Sequence, residues 1–69
     1  MNENQYISIY DNKKFVIEED YPEVGYYLYV YKDNLCVFDS LQDNVFLCKE
    51  IAYQKFNVPL DSWEIFQLG

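Results

Sequence analysis

The chain has no histidine and no arginine, and its only basic side chains are five lysines. Histidine is the usual agent of proton transfer near neutral pH, so its absence removes the commonest route to general acid-base catalysis. Without arginine there is no bidentate clamp for phosphate or for a base edge. Five lysines against twelve acids leave a formal charge of −7. Direct nucleic-acid binding and docking on anionic lipid both depend on clustered positive charge, so neither is expected.

Other absences narrow the field further. No apolar stretch is long enough to span a membrane, and none has the form of a secretory signal, so a cytoplasmic protein is expected. Two cysteines, Cys36 and Cys48, lack metal-ligand spacing and are too few for a disulfide framework. Buried free thiols are the expectation. There is no Gly-rich phosphate loop, no zinc-type cluster, and no base beside a serine or cysteine except carboxylates and lysines. Asp39 with Asp43 is the one carboxylate pair that invites a catalytic thought, and helix capping explains it more simply. Glu18, Glu19, Asp20 and Glu23 offer hard oxygen ligands, but not in the spacing of a calcium loop. The chain therefore reads as non-enzymatic, with no cofactor and no metal.

Hydrophobic residues make up 51% and aromatic residues 20%, far above a disordered acidic tail. With 69 residues the chain has room for a single compact domain over 1–69. It buries only about 60% of the surface its unfolded form exposes.

Glycine and proline occur only twice each, so turns must be read from Asn and Asp. Asp11-Asn12 and Asp33-Asn34 each separate strand-like runs, which predicts two hairpins. The first pairs Tyr6–Tyr10 with Lys14–Glu18. A three-residue loop there gathers Ile7, Ile9, Phe15 and Ile17 on one face and leaves Tyr6, Ser8, Tyr10, Lys14, Val16 and Glu18 on the other. The second pairs Tyr26–Tyr31 with Leu35–Asp39. A three-residue loop joins Leu28, Val30, Cys36 and Phe38, whereas a two-residue loop brings Leu35 and Val37 beside Leu28 and Val30. Tyr27, Tyr29 and Tyr31 share a face in either case. Glu18 to Glu23 reads as an exposed acidic loop between the hairpins.

Ser40-Leu41-Gln42-Asp43 has the form of a capping box, with Asp43 as an alternative cap, and the helix is expected to run to Phe56. Leu41, Val45, Cys48, Ala52 and Phe56 form its apolar stripe, with Phe46 and Tyr53 on a flank. Asn57 is the expected left-handed C-cap, with Pro59 behind it. Residues 60–69 carry Trp63, Ile65 and Phe66 and are expected to add a short edge strand after a turn at 60–62. The fold class is α+β, a mainly antiparallel sheet of four to five strands in the order β-β-β-β-α-β, with one helix on one face.

One helix covers only one face of such a sheet, so the other is left to tyrosines. Tyrosine gives large contact area at low entropic cost, and acidic charge speeds encounter with a basic partner. The expected function is a small inhibitor or immunity-type protein that blocks a basic, nucleic-acid-handling partner, with mimicry of nucleic acid as the sharpest form. The expected contact residues are Tyr27, Tyr29, Tyr31, Tyr6, Tyr10, Glu18, Glu19, Asp20 and Glu23. Two alternatives compete: a homodimer built on the tyrosine face, or a C-terminal segment led by Trp63 that folds over the tyrosines.

Overall fold

A computed structural model describes residues 3–19 and 25–68. Five strands and one helix follow in the expected order: β1 (Glu3–Tyr10), β2 (Lys13–Glu19), β3 (Tyr26–Lys32), β4 (Leu35–Gln42), α1 (Val45–Phe56) and β5 (Glu64–Leu68). The sheet is antiparallel throughout and ordered β4-β3-β2-β1-β5, with α1 packed against one face. The β5 strand pairs with the outer side of β1, closing the sheet edge as expected of the C-terminal segment.

Both hairpins turn in two residues, not three. Asp11 and Asn12 have φ of 54° and 61°, Asp33 and Asn34 have 54° and 66°, and Tyr10 pairs with Lys13 as Lys32 pairs with Leu35. Positive φ at both central positions is the type I′ geometry, whose twist matches that of the flanking strands. This shifts the first hairpin by one residue, which exchanges every side chain between faces. Tyr6 now lies opposite Ile17 and Ser8 opposite Phe15, while Ile7 and Ile9 lie with Val16 and Lys14 on the far face. Ser8 is buried as a result. Its hydroxyl meets the Ser62 hydroxyl at 2.8 Å; Ser62 donates its own hydrogen to the Pro59 carbonyl, so Ser8 is the donor.

The second hairpin corrects its two-residue loop with a bulge. Tyr31 pairs with Cys36 but Val30 pairs with Phe38, so the ladder skips Val37. An unbroken register would put Val37 and Asp39 on the helix side; the bulge puts Phe38 there and sends Asp39 to the open face. Cys36 follows Tyr31 and is exposed, so the expectation that it is buried beside Leu28 and Val30 is overturned.

The core lies between the sheet and α1 and contains Phe15, Ile17, Leu28, Val30, Cys48, Ala52 and Val58, all fully buried. Each large apolar side chain removed from water here contributes roughly 1.5–3 kcal/mol. A chain of edge-on aromatic contacts runs across it: Trp63 on Phe15 at 6.4 Å, Phe15 on Phe56 at 5.4 Å, and Phe56 on Phe38 at 5.6 Å. Trp63 is therefore committed to the helix side and does not fold over the tyrosines. Its Nε1 is buried without a partner among the described residues.

The helix starts later than the capping-box reading places it. Ser40, Leu41 and Gln42 complete β4, and the N-cap is Asn44, whose side chain accepts from the Leu47 amide at 2.9 Å. Leu41 accordingly leaves the helical stripe and lies opposite Tyr27 in the sheet. The other end is as expected. Asn57 takes φ of 63° and its amide donates to the Tyr53 carbonyl at 2.9 Å. Phe46 and Tyr53 lie on the outer side of α1, 58% and 53% exposed. The stems of Lys49 and Lys55 cover the rim of the core, with their ammonium groups over Tyr6 and Phe38 at 5.4 Å and 5.9 Å.

Candidate interaction surface

The sheet face turned away from α1 is the candidate site. Alternation along each strand assigns to it Cys36, Asp39 and Leu41 of β4; Tyr27, Tyr29 and Tyr31 of β3; Lys14, Val16 and Glu18 of β2; Ile7 and Ile9 of β1; and Phe66 of β5. Gly25 fixes where the tyrosine row begins. Its φ is +123°, and a Cβ built there would stand 2.4 Å from the Gln42 carbonyl oxygen, so only glycine lets β3 start so close to β4.

The three rings form a row. Tyr27 and Tyr29 stack at 5.5 Å with 17° between planes, and Tyr29 and Tyr31 lie tilted at 6.3 Å. All three are half-buried, while Val16 beside them is only 4% exposed. Ile9, Leu41 and Phe66 extend the apolar surface outward and are exposed. Partial burial raises the Tyr31 phenol above its ordinary 10.0, and the fields of Cys36 and Glu18 raise it further. The phenols are thus neutral contact groups at physiological pH.

The face is not flat. A trough of about 750 Å³ runs along β2, with Val16 on its floor, Ile9 and Tyr31 on its walls, and Lys13, Lys14 and Lys32 gathered at the hairpin-turn end. At the other end stands Glu18, whose carboxylate accepts from the Gln5 side-chain amide. Lys13 also pairs with Asp11 at 3.4 Å. Three of the five lysines thus border one end of a cleft in a chain of net charge −7.

Of the expected contact residues, the structure brings Tyr27, Tyr29, Tyr31 and Glu18 together. Tyr6 and Tyr10 are displaced to the helix side by the two-residue turn, and Glu19 follows them there, opposite Tyr26. Burial first, and then Glu19, raises the Tyr26 phenol. Asp20 and Glu23 lie outside the described residues. In exchange the face gains Ile7, Ile9 and Leu41, which sequence reading assigned to the core or the helix. The doubled Asp-Asn turn is the signal that identifies the isoleucines, because two adjacent residues able to take positive φ specify the shorter loop.

Cys48 is buried under α1. Its thiol points to the Tyr26 carbonyl at 3.6 Å, and burial pushes it up to about 11. Both cysteines are free, and the sheet lies between them. Among the described residues no group of three or more Cys, Asp or Glu side chains is placed to hold a metal ion. No helix is long and apolar enough to cross a membrane. Against this geometry, no family model, curated protein or solved structure matches the chain.

Proposed function

We propose that the chain is a non-enzymatic protein-interaction module, an inhibitor or immunity-type protein that blocks a basic partner through its open sheet face. The observation that carries this reading is the stacked Tyr27, Tyr29 and Tyr31 row on a face that α1 does not cover. Aromatic side chains ringed by aliphatic ones are the usual composition of an interface centre. The charge of −7 supplies the steering toward a basic surface. In the nucleic-acid-mimic form, the rings take the place of bases while Glu18 and Asp39 take that of phosphates.

Titration calorimetry against a panel of purified basic nucleases and nucleic-acid-binding proteins tests the reading. Binding should weaken at least tenfold between about 50 mM and 300 mM salt, and at least tenfold on Tyr29→Ala. Partners whose affinity ignores both changes would refute it.

A second reading, the homodimer, is favoured by one feature. Lys14 and Glu18 flank Val16 symmetrically on β2, so a two-fold axis through Val16 and across the strands sets each lysine against the glutamate of a second copy. A solution mass near twice 8.4 kDa that persists at high salt would support it; a mass of 8.4 kDa supports the basic-partner reading.

A further inference from the structure

We propose that the trough along β2 is the seat of one short amphipathic α-helix of the partner protein. That helix lies parallel to β2, with its amino terminus at Glu18 and its carboxy terminus at the lysines of the hairpin turns. This inference rests on the open face being the partner's contact surface.

Width is the first argument. The walls stand on β1 and β3, two strand spacings apart, or about 10 Å. A helix with its side chains is about 10–12 Å across. Ile9 and Tyr31 would grip its flanks while Val16 meets its apolar stripe, as Phe15 and Ile17 meet α1 on the other face.

Charge sets length and direction. From Lys14 to Glu18 is four strand steps, about 13 Å. At 1.5 Å per residue that distance is spanned by about nine helical residues. A helix leaves its first amides and last carbonyls unpaired, with partial positive charge at its amino end and negative at its carboxy end. Glu18 retains acceptor capacity after taking the Gln5 hydrogen bond, and so can receive the amino-terminal N–H groups. Lys14 and Lys32, both exposed, can donate to the carboxy-terminal carbonyls. The reverse orientation sets the positive helix end against lysines and the negative end against Glu18. The trough thus caps a helix in one direction only.

The probe is a random 12-residue peptide display library selected on the immobilised full chain, with enriched peptides synthesised and their binding followed by fluorescence anisotropy. Enriched peptides should carry apolar residues at i, i+3 or i+4, and i+7, and should gain helical circular dichroism on binding. The double reversal Lys14→Glu with Lys32→Glu, at exposed positions, should weaken them at least tenfold without altering the melting temperature of the chain. A quencher on Cys36, exposed and opposite Tyr31 at the turn end, should quench a fluorophore at the peptide's carboxy terminus more than one at its amino terminus.

No enrichment, peptides that bind in extended form, indifference to the charge reversal, or stronger quenching of the amino terminus would each overturn the helix seat. Tyr29→Ala separates the two levels. If peptides fail these criteria yet lose affinity on Tyr29→Ala, the open face stands as the contact surface and only the helix seat falls. If Tyr29→Ala leaves their binding unchanged, both fall.

Discussion

Replacing Gly25 by alanine tests the feature that sets the tyrosine row in place. The new Cβ would meet the Gln42 carbonyl oxygen at 2.4 Å, whereas ordinary contact begins at 3.4 Å, so about 1 Å must be found between β3 and β4. A backbone oxygen in a strand cannot swing aside as a flexible side chain can. Moving it loosens the pairing of Tyr26 with Gln42, where one lost hydrogen bond costs about 1 kcal/mol. Holding alanine at φ of +123° adds about 1–3 kcal/mol of backbone strain. The total is about 2–4 kcal/mol in a domain whose whole stability is of order 3–10 kcal/mol. For a chain of this size that loss lowers the melting temperature by about 10–25 °C. Urea unfolding followed by Trp63 fluorescence and far-ultraviolet circular dichroism should show a lower midpoint at unchanged slope. Asn57→Gly is the control, because it keeps a left-handed residue where left-handed geometry is required and should change stability by only a few tenths of a kcal/mol. A Gly25→Ala protein within 0.5 kcal/mol of the parent would refute the account of how β3 is anchored.

Asn44→Ala should cost about 1 kcal/mol by chemical denaturation and Asp43→Ala only a few tenths; equal effects would contradict Asn44 as the cap. The two thiols should separate in a disulfide-exchange assay at pH 8, with Cys36 reacting in the native state and Cys48 only after unfolding; two fast thiols would place Cys48 outside the core. Burial raises the folded Cys48 thiol from 9.0 to about 11, so the neutral form is favoured by folding. That stabilisation is fully present below pH 9 and is lost as pH rises through 11, a change of about 2–3 kcal/mol. The raised phenols of Tyr26 and Tyr31 act with the same sign. Cys48→Ala should flatten the decline between pH 9 and 11, and an unchanged slope in the variant would contradict the burial argument.

Much of the architecture was written locally. The Asp-Asn pairs marked both hairpins, the three- and four-residue spacing of Val45, Cys48, Ala52 and Phe56 marked the helix and its buried stripe, and Asn57 marked its end, because turns, periodicity and caps are properties of neighbouring residues. The face of Tyr27, Tyr29 and Tyr31 was legible for the same reason: alternation along one strand does not depend on what the strand pairs with. Register does depend on it. Three-residue and two-residue loops both give plausible faces when judged by side chains alone. The choice between them rests on backbone twist, which moved Tyr6 and Tyr10 to the helix side and Ile7 and Ile9 to the open one. The Val37 bulge is likewise decided only when Phe38 finds Phe56 across the core.

Composition and local pattern alone determined an acidic α+β domain with a tyrosine row and no histidine or arginine for the usual chemistry. Only the tertiary structure decided which side chains accompany that row, and that three lysines and Glu18 stand at opposite ends of one trough. Those groups come from different strands, and their meeting is set by register and sheet twist, which no short stretch of sequence contains.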